Sequence, residues 1–379
     1  DGLYREMTEK IEEIILYHIQ IPMSEPFKIS SGEVSVKDSI IIELKFESGI
    51  VSYGEASPMA GSFYSNETPE SVWSELINFV GLIDKKFNFD NFEKEISKVI
   101  TRFSKLGLSS YAIAGIETAL WDAHSKITNK PIYALLGGNY KEIESGLAIG
   151  IYDSVDKLLN KIERYLELGG YKRVKIKIQK GWDIEPISSV RKFFTDIPLM
   201  VDANCAYTRD DIEHLKRLDD FGLIMIEQPL SKDDIEGHAI LQSKISTPIC
   251  FDESADSIEK LNKAFEINAC KIINIKIQRV GGLLNAKKMH DFCKENEIPV
   301  WIGTMPELGI GSFQALSLCM LDNCKFPTDV EDSLRWYTDD IIEPMIEVKN
   351  GIIIFRDYIN VSLEKVKKYT VNKTKVKLS

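Results

Sequence analysis

Apolar and polar residues alternate over residues 9–21. Residues 9–21 (EKIEEIILYHIQI) predict one strand and 38–47 a second. Ser48-Gly49 then turns the chain into a third at Val51-Ser52-Tyr53-Gly54-Glu55, giving an antiparallel meander. The period becomes helical over 69–84, 90–104 and 110–127, where Tyr111, Ile113, Ile116, Leu120 and Trp121 recur at helical spacing. Pro131 opens a short helix that Leu136-Gly137-Gly138 stops. Strands followed by helices, without alternation, predict an α+β domain of about 140 residues.

From residue 145 strands and helices alternate. Strands are expected at 146–151, 173–178, 198–202, 223–226, 248–251, 271–275 and 298–302, with amphipathic helices at 154–168, 209–219, 234–243, 256–266 and 282–295. An eighth strand around 324–328 is faint and lacks a following helix. Five polar residues close successive apolar runs: Lys177, Asp202, Glu227, Asp252 and Lys276, at intervals of 25, 25, 25 and 24 residues. One strand, loop and helix fill such an interval, so the chain reads as an α/β parallel barrel whose strand carboxyl ends share one face.

Composition narrows the partners. The 379 residues hold a barrel of about 250 residues plus a second domain. A net charge of −11 argues against nucleic acid. No apolar run approaches the roughly 18–20 residues that cross a bilayer. The Lys-rich end (Lys365, Lys367, Lys368, Lys373, Lys375, Lys377) reads as a solvated tail. Six cysteines without a CxxC pair, and no secretory signal pattern, predict a reducing cytoplasm. The five histidines are isolated, which removes zinc from consideration. Met7 is a candidate initiator, with Asp1 to Glu6 as added residues.

The chemistry lies at the strand ends. Lys175 and Lys177 alternate along Val174-Lys175-Ile176-Lys177-Ile178, so both project to one side. Inside a barrel two lysines are costly unless paired or beside a metal; the other reading is an exposed edge strand. Their crowding is expected to lower a lysine pKa toward that of a base. Asp202, with Asn204 two residues on, Glu227 before Gln228-Pro229, and Asp252 before Glu253 each end a strand. Singly, such acids cap the next helix. In common register, three oxygen ligands suit a hard cation, Mg²⁺ best and Mn²⁺ next. Lys276, from the sixth strand, would face Lys177 across the barrel. A metal-bound carboxylate would then have a lysine on either face of its α-carbon, and the reaction that follows is α-proton removal to an enediolate. Arg279-Val280-Gly281-Gly282 either binds an anion at a helix start or makes a tight turn. Glu307 either neutralises Lys276 or caps a helix.

The stations KxK (Lys175, Lys177), DxN (Asp202, Asn204), ExP (Glu227, Pro229), then Asp252 and Lys276, resemble the enolase superfamily in its muconate-lactonizing subgroup. Arg173-Val174-Lys175-Ile176-Lys177 with Gly181-Trp182-Asp183, the run Asp202 to Thr208, and Phe326-Pro327-Thr328-Asp329-Val330 with Arg335-Trp336-Tyr337 are similar to the o-succinylbenzoate synthase/N-acylamino acid racemase family. The likeness covers nearly the whole chain. It implies a modified (β/α)7β TIM-like barrel over 141–330, an α+β capping domain over 1–140, and a segment 331–379 that returns to the cap. It implies Asp202, Glu227 and Asp252 as Mg²⁺ ligands, Lys177 and Lys276 as the acid/base pair, and Lys175 as the neighbour that tunes Lys177. Asn204, Glu253 and Glu307 would adjoin the metal or substrate. A capping loop at Pro26 to Gly32, and a second at Met59 to Tyr64 with Phe63 and Tyr64, would cover the substrate. Met305-Pro306-Glu307-Leu308-Gly309 departs from the synthases at Pro306 and Leu308, in a loop that lines the substrate site.

The implied protein is a cytoplasmic homo-oligomer acting on a small-molecule carboxylate, by dehydration to o-succinylbenzoate, by racemisation of an N-acylamino acid, or by both. A muconate-type cycloisomerase or another racemase/epimerase is the alternative, although the DxD pair of dipeptide epimerases is absent from 301–311. Two rivals stand outside this chemistry: a barrel that binds metal only for structure, and a metal-dependent aldolase, which would need one base and not Lys276.

Overall fold

The structure, a computed structural model, describes residues 7–61 and 64–379; Asp1 to Glu6, Ser62 and Phe63 lie outside the described residues. Strand β1 (Thr8–Ile29) pairs antiparallel with β2 (Gly32–Phe46), and β2 with β3 (Val51–Ala56). A short β4 (Lys86–Asn88) pairs with the start of β1. The meander is as expected, but β1 and β2 run on to a hairpin at their far end. Register is lost between Pro22 and Phe27, so residues 23–26 bulge from the sheet. The helix Ser110–Thr128 is buried on almost every side and lies across β3. Close approach needs glycine at both contacts: a Cβ on Gly54 would meet the Gly115 carbonyl at 2.1 Å.

The second half is a parallel sheet in chain order: β5 (Leu147–Ile149), β6 (Val174–Lys177), β7 (Leu199–Asp202), β8 (Ile226–Glu227), β9 (Ile249–Phe251), β10 (Ile272–Ile275) and β11 (Val300–Ile302). Residues 323–329 take the eighth position. Lys325 N and Asp329 N donate to Val300 and Ile302 of β11, while Gly146 N donates to Thr328 and Thr328 N to Glu144. The hydrogen bonds fall on both sides of this segment but too irregularly to make a ladder. The helix expected at 209–219 is broken into Arg209–Asp211, Ile212–Leu215 and Lys216–Phe221. Asp219 instead turns its carboxylate to the Ser246 and Thr247 amides, at 2.8 and 2.9 Å.

The Lys-rich end is solvated, and it also carries regular structure. The helix Leu363–Tyr369 leads into the strand Thr370–Val376, which pairs with β1 as the sheet edge. Its lysines stay at the surface, and Lys375 pairs with Glu13 at 2.5 Å. Charged side chains on an edge strand discourage further pairing.

Two buried glutamates join the domains. Glu55, from β3, accepts from Leu308 N at 2.7 Å and Gly311 N at 2.6 Å, at the start of the barrel helix Gly309–Cys319. Glu117, from Ser110–Thr128, accepts from Leu283 N at 2.8 Å and Leu284 N at 2.9 Å, at the start of Leu283–Glu295. Each carboxylate therefore caps a helix of the other domain, where free amides and the helix dipole favour an anion. Gly282, at φ 128°, makes the second seat possible, since a Cβ there would lie 2.4 Å from the Glu117 carboxyl. The Gly281-Gly282 turn thus serves an anion, but one supplied by this chain.

Candidate active site

Parallel register brings the strand-end residues level. Lys177 lies beside Asp202, and Asp202 beside Glu227. Glu227 lies beside Cys250, which puts Asp252 two residues further along the next strand. The three carboxylates are buried, each offering an oxygen within 4.8 Å of the others. Lys177 Nζ lies 2.5 Å from Asp202 Oδ2 and 3.2 Å from Asn204 Oδ1. Lys276 Nζ lies 2.7 Å from Asp252 Oδ2. The two lysines close the row from β6 and from just past β10, with the carboxylate strands between them.

Backbone turns at the strand exits aim these groups. Asn204, Cys205 and Gln228 adopt positive φ of 44°, 63° and 39°. Such left-handed conformations carry a local cost that the surrounding contacts must hold. The Gln228 side chain ties two exits together: its Oε1 accepts from Asp252 N and Ser254 N, both at 3.1 Å. Asn204 bridges Lys177 to Glu253, donating to Glu253 Oε1 at 3.1 Å.

The electrostatics describe a site built around positive charge that the chain itself only partly supplies. Burial, then the charge of Asp202, push the Glu227 carboxyl well above the ordinary carboxylate range against the pull of Lys175. Burial, then Asp252 and Asp202, do the same to Glu253, whose Oε2 has no partner among the described residues. Burial would raise Asp252 as well, but Lys276 and Arg279 hold it well below. Three crowded, buried oxygen donors with no Cys or His fit a hard divalent cation.

Lys175 is held as a cation. Burial alone would lower it, but Asp329, Glu227 and Asp202 outweigh burial and hold it above its ordinary range. Its Nζ is 2.6 Å from Asp329, 3.1 Å from Glu227 and 3.9 Å from Asp202, so it is a fixed cation rather than a depressed base. Glu307 neither pairs with Lys276 nor caps the next helix. Its Oε2 takes Met305 N at 3.3 Å, and burial, then Glu55, push it up to about 7 against the opposing charge of buried Lys37. Arg279 joins the site, donating to Asp252 Oδ1 at 2.6 Å. Tyr64 donates to the same oxygen at 2.5 Å, and its ring lies 4.5 Å from Lys276 Nζ. From the far end of β1, in the segment expected as a capping loop, the Phe27 ring approaches Lys177 Nζ at 5.9 Å. A cavity of about 370 Å³ opens beside the row, lined by Tyr64, Tyr111, Glu253 and Arg279.

Sequence reasoning passed over Gln228, Asn274 and Asp329. Asn274 donates to Glu227 Oε1 at 2.7 Å. The signal was present: Asn274 and Lys276 alternate along one strand just as Lys175 and Lys177 do.

The same architecture matches two family models, the mandelate racemase/muconate lactonizing enzyme N-terminal domain over residues 11–137 and the enolase C-terminal domain-like unit over 157–358. The chain belongs to the enolase superfamily. Within it, the chain is 42% identical over 348 residues to an o-succinylbenzoate synthase of Geobacillus kaustophilus, covering 92% of this chain and 91% of that one. It is 38% identical over 338 residues to an N-succinylamino acid racemase of Amycolatopsis sp, covering 89% and 90%. A crystal structure of an enolase superfamily member from Listeria innocua superposes with a TM-score of 0.89 at 34% identity, over 98% of this chain and 100% of that one. This superfamily member is accordingly an enzyme, and the carboxylates and lysines lie at the carboxyl ends of its barrel strands.

Proposed function

We propose that this enzyme removes the proton α to a substrate carboxylate, giving an enediolate, and completes either the dehydration that forms o-succinylbenzoate or the racemisation of an N-acylamino acid. The observation that carries the reading is the placement of Lys177 and Lys276 at opposite ends of one buried carboxylate row. Relatives named for both reactions, each covering about nine-tenths of the chain, support it. Asp202, Glu227 and Asp252 would hold Mg²⁺, or Mn²⁺ in its place, supplying the positive charge that makes an α-proton acidic.

For dehydration, Lys177 takes the α-proton and returns it as the β-hydroxide leaves, while Lys276 offers its charge. Burial opposes that charge, but Asp252, Glu227 and Glu253 hold the Lys276 ammonium above its ordinary range. For racemisation, each lysine serves one face of the α-carbon. Phe27 and Tyr64 bring apolar surface to the two lysines and limit water there. We take the natural partner to be a small carboxylate, the working form a homo-oligomer and the compartment the cytoplasm. No described helix is long and apolar enough to cross a membrane.

The test is α-proton exchange in D₂O with Mg²⁺, followed by NMR, on both hands of N-succinyl amino acids and on the cyclohexadiene precursor of o-succinylbenzoate. Lys177→Ala and Lys276→Ala are run beside the wild type. Exchange of both hands, each lost with one lysine, gives the racemase; turnover of the cyclohexadiene acid alone gives the synthase. No exchange on any substrate sinks the reading.

A further inference from the structure

Beneath the carboxylate row the barrel interior carries a ladder of alternating charge. Arg173, Lys175 and Lys177 are spaced two residues apart along β6 and its entry, so all three face inward. Asp329, on the segment that closes the barrel, stands between the lower two. Its Oδ1 accepts from Arg173 Nη1 at 3.0 Å and Nη2 at 2.7 Å, and its Oδ2 accepts from Lys175 at 2.6 Å. Trp301 floors the group, its ring 5.3 Å from the Arg173 guanidinium and 5.0 Å from Lys175 Nζ. All four side chains are buried.

Lys175 has three acids within 4 Å, and two of them are members of the metal-binding row. Its shortest contact is the one outside the row. We propose that Asp329 sets the divalent-metal affinity of the site by drawing Lys175 toward itself and so weakening that lysine's hold on Glu227 and Asp202. This rests on the metal site argued above. Lys175 already donates to Glu227 Oε2 at 3.1 Å, and a lysine released from Asp329 would tighten that bond and compete harder with a cation for the same oxygen. Loss of the Asp329 charge would also leave Arg173 and Lys175 as two buried cations facing an incoming one. Both effects have one sign, toward weaker binding. A merely structural Asp329, holding the barrel shut through Arg173, would change stability and leave metal affinity alone.

Mn²⁺ binding, measured by electron paramagnetic resonance without substrate, tests this in the full chain. Asp329→Asn is expected to bind Mn²⁺ about tenfold more weakly or worse, and Asp329→Glu to recover most of the loss. Because Asp329 acts through Lys175, the double variant Asp329→Asn/Lys175→Gln should bind more tightly than Asp329→Asn alone. Wild-type affinity in Asp329→Asn, or a double variant as weak as the single, overturns the inference. Should Asp329→Asn fail to fold, Lys175→Gln alone decides: it must bind Mn²⁺ at least as tightly as wild type, and clearly weaker binding overturns the inference. A wild-type protein that binds no Mn²⁺ or Mg²⁺ would instead remove the metal site, a different and distinguishable failure.

Discussion

The two ends of the carboxylate row place the same residue type in unlike company. At one end Lys177 meets Asp202, the neutral amide of Asn204 and the Phe27 ring at the far end of β1. At the other, Lys276 shares Asp252 with the Arg279 guanidinium and the Tyr64 hydroxyl. One lysine has a single carboxylate and an adjustable dipole; the other is locked in a cluster of fixed charge. The difference teaches that a site symmetric in its reacting groups need not be symmetric in their freedom. The crowded end is built to hold a charge still, and the sparser end leaves more room to give and take a proton.

Removing Arg279 should disturb this contrast most. Arg279→Ala breaks a buried ion pair, and urea unfolding should show a loss of about 3–5 kcal/mol. Stability unchanged would mean that Lys276 and Tyr64 already satisfy Asp252. Asn204→Ala acts at the sparser end, where it cuts Lys177 off from Glu253. About a tenfold fall in kcat is expected from losing hydrogen bonds to charged groups, beside the roughly 1–2 kcal/mol of stability that Ala costs at a φ of 44°. An unchanged kcat would make Asn204 structural. Tyr64→Phe keeps the ring against Lys276 but drops the hydroxyl from Asp252, making the two ends more alike. We expect a change of only a few fold in KM, read from steady-state kinetics.

A control away from both ends concerns Glu117, whose burial pushes its carboxyl from 4.5 up to about 7. A raised folded-state pKa favours the protonated form, so its contribution to stability is full below about pH 4.5 and is lost as pH rises to about 7. Denaturation midpoints of Glu117→Gln should lack that component of the pH slope. A slope identical to wild type across this window would show the carboxyl titrating as it does in the unfolded chain.

Much of this was readable from period alone. Alternation at two and then at three to four residues marked the meander, the helices and seven barrel strands, because burial on one face fixes side-chain spacing. Lys177, Asp202, Glu227, Asp252 and Lys276 were legible because each ends an apolar run at nearly constant separation. What escaped depends on contacts far apart in sequence. Asp329 lies in an irregular segment with no ladder, and its role appears only when barrel closure brings it to Lys175, 154 residues earlier. Glu55 reads as the last polar residue of a strand, and nothing local shows that its partners are amides 253 and 256 residues away. Arg279 looked like part of a glycine turn but lies in the single helical turn Ile277–Val280 that precedes it. The Lys-rich end is solvated as it reads, but its role as a sheet edge is not visible locally, because edge strands and free tails share a polar surface.

The paired glutamates that cap across the domain boundary bear on how such enzymes can be recombined. A chimera that set this barrel under a foreign cap would inherit two helix starts whose amides await a carboxylate from elsewhere. Only a donor cap with acids at both positions would answer them, and Gly282 would have to stay small to admit one of the two. Cap and barrel are thus matched parts, and shuffling them freely between relatives would trade away the seal that joins them.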